Sequence, residues 1–156
     1  MDANQLLTSL GLAVGLPDLA FDGNGCARLL FDQRIAVNLE HDADAGCIHV
    51  YSVLGAVPPP GTGEALFRRL LEGNLFGSQT HGAALAVDGS SHEILLSRSL
   101  DVESASAEGF GRMVEKLLAA SDHWTQELSG SAAGHAVQAP DSTAQPAHMP
   151  AYMMKA

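Results

Sequence analysis

The stretch from Arg34 to His41 constrains the fold more than any other. There Ile35, Val37 and Leu39 alternate with Arg34, Ala36, Asn38 and Glu40. Successive side chains of a strand point to opposite faces, so this pattern predicts a strand with one face on a core and one toward water. Such a strand needs partners, and the flanking segments supply them. Cys26–Phe31 has strand character and follows the turn-forming run Asp22-Gly23-Asn24-Gly25, with a short extended piece, Leu19–Phe21, before it. Cys47–Leu54 follows the turn Asp42–Gly46. In it Ile48, Val50 and Leu54 share one face, while Cys47, His49, Tyr51 and Val53 share the other. Two partly apolar faces imply that something covers both.

Helical spacing brackets these strands. Leu6, Leu7, Leu10, Ala13 and Val14 mark a helix over residues 3–14, ended by Gly15 and Pro17. Pro58-Pro59-Pro60 excludes helix and central strand from the segment Gly55–Gly63. Thr62 is placed to cap a helix running to about Leu75, with Glu64 and Arg68 as an i,i+4 pair and Leu66, Phe67, Leu70 and Leu71 as its apolar positions. Ala83–Val87 and Glu93–Leu100 read as a hairpin around Asp88-Gly89-Ser90-Ser91. A long helix is expected from Ser104 to about Leu128, its stripe marked by Phe110, Met113, Val114, Leu117, Leu118, Ser121, Trp124 and Leu128. The order is helix, three to four antiparallel strands, helix, two strands, helix. That is an α+β domain rather than an alternating βαβ one.

Charge narrows the partners. The 156 residues carry 8 Lys and Arg against 18 Asp and Glu, a formal charge of −10. Phosphate contacts need clustered cations, so nucleic acid is disfavoured, and so is an anionic membrane surface. No apolar run approaches the roughly 20 residues of a membrane-spanning helix. Asp2 stands where an export signal would carry Lys or Arg, which makes the cytoplasm the expected location. Two cysteines, Cys26 and Cys47, are too few for a disulfide scaffold. Residues 1–128 hold 17 of the 18 acidic and 7 of the 8 basic side chains; residues 129–156 hold only Asp141 and Lys155. This last segment is rich in Ala, Pro and Ser and lacks Leu, Ile, Phe and Trp, so it reads as a flexible extension of a domain spanning 1–128. Its end, His148–Ala156, is stickier, with Tyr152, Met153 and Met154.

Catalytic signals are weak. Pro60-Gly61-Thr62-Gly63-Glu64 has the glycines of a phosphate loop, but Glu64 stands where the lysine should, and a carboxylate repels the ligand. Cys47 and His49 share a strand face and His41 lies across the turn, so a three-ligand zinc site is conceivable. No CxxC or HxxxH pair supports it, and free cysteine commonly packs as a small hydrophobe. The acidic pairs Asp42/Asp44 and Asp101/Glu103 sit in turns, where solvated carboxylates are ordinary. Apolar residues, by contrast, are in surplus. Leu6 and Leu7, Leu29 and Leu30, and both faces of 47–54 cannot all point into one small core. The surplus predicts a dimer seam plus a surface for an extended apolar segment of a partner.

The ordered set Leu10-Gly11, Gly15-Leu16-Pro17, Leu19–Asp22, Cys26–Asp32, Leu70–Phe76 (LLEGNLF), Gly82–Asp88 and the helix from Phe110 to Trp124 resembles the class I type III secretion chaperones of the CesT/SycE type (Tir chaperone family) over residues 2–128. The resemblance implies a small acidic homodimer of the bacterial cytoplasm with no enzymatic activity, cofactor or metal. It would bind the N-terminal region of a secreted effector, keep it secretion-competent, and help deliver it to the secretion apparatus, whose ATPase is a further implied partner. Carried over onto this sequence, the implied dimer interface is Leu66, Phe67, Leu70, Leu71, Asn74, Leu75, Ala83, Leu85 and Val87. The implied partner-binding residues are Leu6, Leu7, Leu10, Leu29, Phe31, Val37 and Val50. The long neutral tail departs from the family pattern. Two rival readings are a same-fold regulator that sequesters another secretion regulator, and a small metal-dependent or thiol enzyme using Cys47, His49 and His41.

Overall fold

The computed structural model describes residues 1–134. Its elements are α1 (Ala3–Ala13), β1 (Cys26–Phe31), β2 (Ile35–Asp42), β3 (Cys47–Ala56), α2 (Glu64–Gly73), a 3-10 turn (Leu75–Gly77), β4 (Ala84–Asp88), β5 (Glu93–Asp101) and α3 (Ala107–Gly134). The strands form one antiparallel sheet in the order β1-β2-β3-β5-β4. The α+β class and element order are those expected, with three strands ahead of α2; Leu19–Phe21 is loop.

Local chemistry accounts for the boundaries. The Asp2 carboxylate accepts from the Gln5 amide at 2.8 Å, while the Gln5 side chain accepts from the Asp2 amide at 2.9 Å, a reciprocal cap for α1. Asp32 and Gln33 both take positive φ, 50° and 56°, in the three-residue loop between the paired Phe31 and Ile35, and the Arg34 N–H closes the turn on the Phe31 carbonyl at 3.0 Å. Two expected caps move. The Thr62 hydroxyl donates to the Pro59 carbonyl at 2.7 Å, and Gly63 begins α2 without a side-chain cap. The Ser106 hydroxyl, not that of Ser104, accepts from Gly109 at the start of α3. Helix α3 also runs past Leu128 to Gly134, because Ser129 to Gly134 hold no proline. The rest of the expected extension, 135–156, lies outside the described residues.

The core lies on one face of the sheet, under α1 and α3. Leu29, Val37, Ser52, Leu96 and Leu85 form a buried row across all five strands, met by Phe110, Met113, Val114, Leu117 and Trp124 from α3. Trp124 fastens α3 to α2 and to the segment before β4. Its indole N–H donates to the Gln79 carbonyl at 3.0 Å, and the Arg69 guanidinium stacks 4.6 Å above its ring. Arg69 also reaches Gln79 at 2.8 Å and Glu127 at 3.1 Å. Gly73 is packed so closely on the indole that a Cβ there would collide with it.

Candidate functional site

The residues expected to bind a partner fall mostly inside the monomer. Leu6, Leu7, Leu10, Leu29, Val37 and Val50 are buried in the core, and Phe31 is half-buried against it. The physical reason is that α1 turns Leu6, Leu7 and Leu10 into the core it shares with α3, and that α3 covers the inner face of β2, β3 and β5. The apolar residues that stay open are their neighbours. Leu12 is 64% exposed, Val14 and Leu16 follow on the way out of α1, and Leu30 stands on the edge strand β1. Gly11 allows this arrangement. The loop folds back so tightly that a Cβ on Gly11 would stand 2.5 Å from the Leu16 carbonyl oxygen. Val14 lies on the expected helical stripe but beyond its buried stretch, whereas Leu12 and Leu16 fall off that stripe and Leu30 points opposite to the buried Leu29.

The expected dimer residues divide. Leu70 and Leu85 are buried, and Leu66 and Ala83 are half-buried against the core. Asn74 is committed inside the subunit: its amide group accepts from the Leu85 N–H at 2.8 Å and donates to the Leu85 carbonyl at 3.0 Å, covering the start of edge strand β4. Phe67, Leu71, Leu75 and Val87 are exposed, and Phe67, Leu71 and Leu75 recur every fourth residue along one side of α2 and its continuation. Phe76, absent from the expected set, is 95% exposed in a left-handed backbone conformation, φ 56°. Its place directly after Leu75 in the LLEGNLF run was the available signal. Phe67, Leu71, Leu75, Phe76 and Val87 make a second set of exposed apolar side chains.

The chemistry of the enzyme reading does not assemble. Cys47 Sγ lies 3.5 Å from His49 Nε2, and His49 Nδ1 lies 2.9 Å from the Ser99 hydroxyl. The strand register pairs Glu40 with His49 and His41 with Ile48, so His41 stands on the opposite side of the sheet, where its ring meets Phe21 at 5.7 Å. Among the described residues no group of three or more His, Cys, Asp or Glu is placed to hold a metal ion. Burial, then the charges of Asp22 and Glu40, push the Cys26 thiol up, away from the reactive thiolate. Gly63 packs on Phe67 and Pro58, and the shallow groove beside it has Glu64, Glu72 and Arg68 in its walls; Arg68 is paired with Glu64, and the net negative lining does not favour an anion. No helix among the described residues is long and apolar enough to cross a membrane.

Known proteins with these features form a consistent set. The sequence model of the Tir chaperone protein (CesT) family matches residues 5–125. A protein of Chlamydia pneumoniae is 28% identical over 125 residues, which cover 80% of this chain and 94% of that protein. Among solved structures, a chain of the ExsC–ExsE complex is similar with a TM-score of 0.65 and 25% identity, covering 81% of this chain and 96% of that one. A chain of the HopA1–SchA chaperone–effector complex gives 0.64 at 21% identity, covering 78% and 91%. A chain of the ExoU–SpcU complex from the type III secretion system of Pseudomonas aeruginosa gives 0.60 at 18% identity, covering 80% and 95%.

Proposed function

Because the chain belongs to the Tir chaperone protein (CesT) family, we propose that it is a type III secretion chaperone that holds an N-terminal, extended segment of a secreted effector. The observation that supports this most directly is the set of uncovered apolar side chains at the end of α1, Leu12, Val14 and Leu16, on an acidic body, with Leu30 also uncovered on the outer face of the edge strand β1. An extended client presents apolar side chains that aggregate in water, and a surface of this kind shields them. The like charges of the body keep the loaded complex soluble and favour a basic client segment. The protein acts by binding, without catalysis, in the bacterial cytoplasm, and passes its client to the secretion apparatus and its ATPase. It works as a homodimer joined through Phe67, Leu71, Leu75, Phe76 and Val87. Leu70, Leu85, Asn74, Leu66 and Ala83 support that seam from within each subunit.

The test is co-purification from the native bacterium with tagged full-length protein. A secreted protein retained through its N-terminal region is the expected result. The double variant Leu12→Asp/Leu16→Asp is expected to lose at least tenfold in client affinity by titration calorimetry, with a melting temperature close to that of the parent. Unchanged affinity would remove the end of α1 from the client surface.

A further inference from the structure

The sheet ends in two edge strands, β1 and β4, and the two are guarded differently. An unguarded edge presents a row of N–H and C=O groups with which another chain can pair. On β4, register sets Leu85 opposite Leu96 and Val87 opposite Ile94. The Leu85 N–H and C=O both bond to the Asn74 side chain, so they point away from β5. Antiparallel pairing alternates along a strand, so Ala84 and Ala86 bond toward β5 while Val87 faces the edge as Leu85 does.

The usual guards are missing from β4 itself. From Ala84 to Val87 it holds no charge, proline or glycine, and Ala84, Ala86 and Val87 are exposed. Strand β1, by contrast, carries the exposed cation Arg28. Asp22 also bonds both backbone groups of Cys26 there, its N–H donating to the carbonyl at 2.8 Å and its carboxylate accepting from the N–H at 2.9 Å. At β4 the guard comes from the end of α2. A primary amide carries a donor and an acceptor side by side, as a peptide group does. Asn74 offers both to Leu85, at 3.0 and 2.8 Å, as a residue of a neighbouring strand would. Its own backbone is fixed: the N–H donates to the Leu70 carbonyl at 3.1 Å, and the carbonyl accepts from the Gly77 N–H at 3.1 Å. Just ahead of the strand, the Ala83 N–H donates to the Thr80 carbonyl at 3.1 Å. Val87 is then the outward position that β4 still offers, which is short of the pairing length of an ordinary strand.

We propose that Asn74 stands in for a sixth strand and closes the β4 edge to backbone pairing, the excluded partner being β4 of a second copy of the chain. Identical antiparallel strands meet about a two-fold axis, so two open β4 edges would match each other. With Asn74 in place, a second copy on this side of the molecule meets side chains rather than a free ladder. The effect is read against the parent's own mass, so it is independent of the seam proposed on α2.

The experiment uses the full-length chain. In the parent, NMR is expected to show the Asn74 side-chain amide protons exchanging at least about fivefold more slowly than those of the exposed Asn4. Asn74→Ala is expected to raise the weight-average mass in sedimentation equilibrium to at least about twice the parent's at equal concentration. Adding Val87→Pro removes the remaining outward N–H and is expected to return the mass to the parent's. Asn74→Asp keeps an acceptor for the Leu85 N–H but sets a second oxygen against the Leu85 carbonyl, and it replaces Asn74→Ala in the same assay should that variant not fold. Equal exchange at Asn74 and Asn4 would overturn the proposal, and so would the parent's mass in a folded Asn74 variant. A mass increase that survives Val87→Pro would also overturn it, by placing the new contact away from the β4 edge.

Discussion

The two faces of the sheet are built from the same five strands, one residue out of step. One face carries Leu29, Val37, Ser52, Leu96 and Leu85, and every one is buried. The other carries Leu30, Ala36, Val53, Leu95 and Ala86, whose size and polarity are little different, yet which remain open or half-open. Hydrophobicity does not separate the two rows. The helices do: α3 contributes a long stripe, from Phe110 to Trp124, that covers one side only. An apolar row left without a helix is either tolerated surface or a place for another polypeptide, and the length of this one favours the second.

The largest expected effect breaks the comparison directly. Val37→Asp buries a carboxylate in the closed row and is expected to cost more than about 4 kcal/mol, enough to leave little folded protein. Leu95→Asp, on the open row, is expected to stay within about 1 kcal/mol of the parent. Urea unfolding followed by circular dichroism measures both. Equal losses would mean that the outer row is as closed as the inner one.

This contrast marks how far the sequence could be read. The alternation at Ile35, Val37 and Leu39 located β2, the helical spacing located all three helices, and the Asp88–Ser91 run located the last hairpin. Which face of each element is covered was less legible, because period alone gives the faces and not their partners. So Leu6, Leu7, Leu10, Leu29, Val37 and Val50, expected on a client surface, are core. The observation that β3 is apolar on both faces did point to a second covered face, but nothing in the local pattern could say which residues α3 would choose. The Thr62 cap failed for a related reason: a threonine two residues after three prolines bonds back to its own loop at Pro59.

Helix α2 repeats the comparison on a smaller scale. Leu70, only 4% exposed, and Gly73 face Trp124 and the core, while Phe67 and Leu71, the latter 71% exposed, face outward. Leu70→Ala is expected to cost about 2–4 kcal/mol through the cavity it leaves. Leu71→Glu is expected to leave subunit stability within about 1 kcal/mol of the parent and to convert the proposed dimer to monomer by light scattering. A dimer that survives Leu71→Glu would move the seam away from this side of α2.

The smallest effect tests the polar end of the outer face, where Tyr51 and Glu40 replace the apolar row. The Tyr51 hydroxyl donates to Glu40 Oε1 at 2.6 Å. Partial burial first, then the hydrogen bond and negative charge of Glu40, push the phenol up to about 12. An unfolded tyrosine titrates near 10. Between those two values the folded chain keeps a proton that the unfolded chain has released, so stability falls as pH rises through that window. Solvent screens a group this open, and the loss is accordingly small. Tyr51→Phe removes the titration, and its melting temperature is expected to decline less than the parent's between about pH 10 and 12. Parallel decline of the two proteins would show that the Tyr51–Glu40 bond does not persist in solution, and that this end of the outer face is held by strand pairing alone.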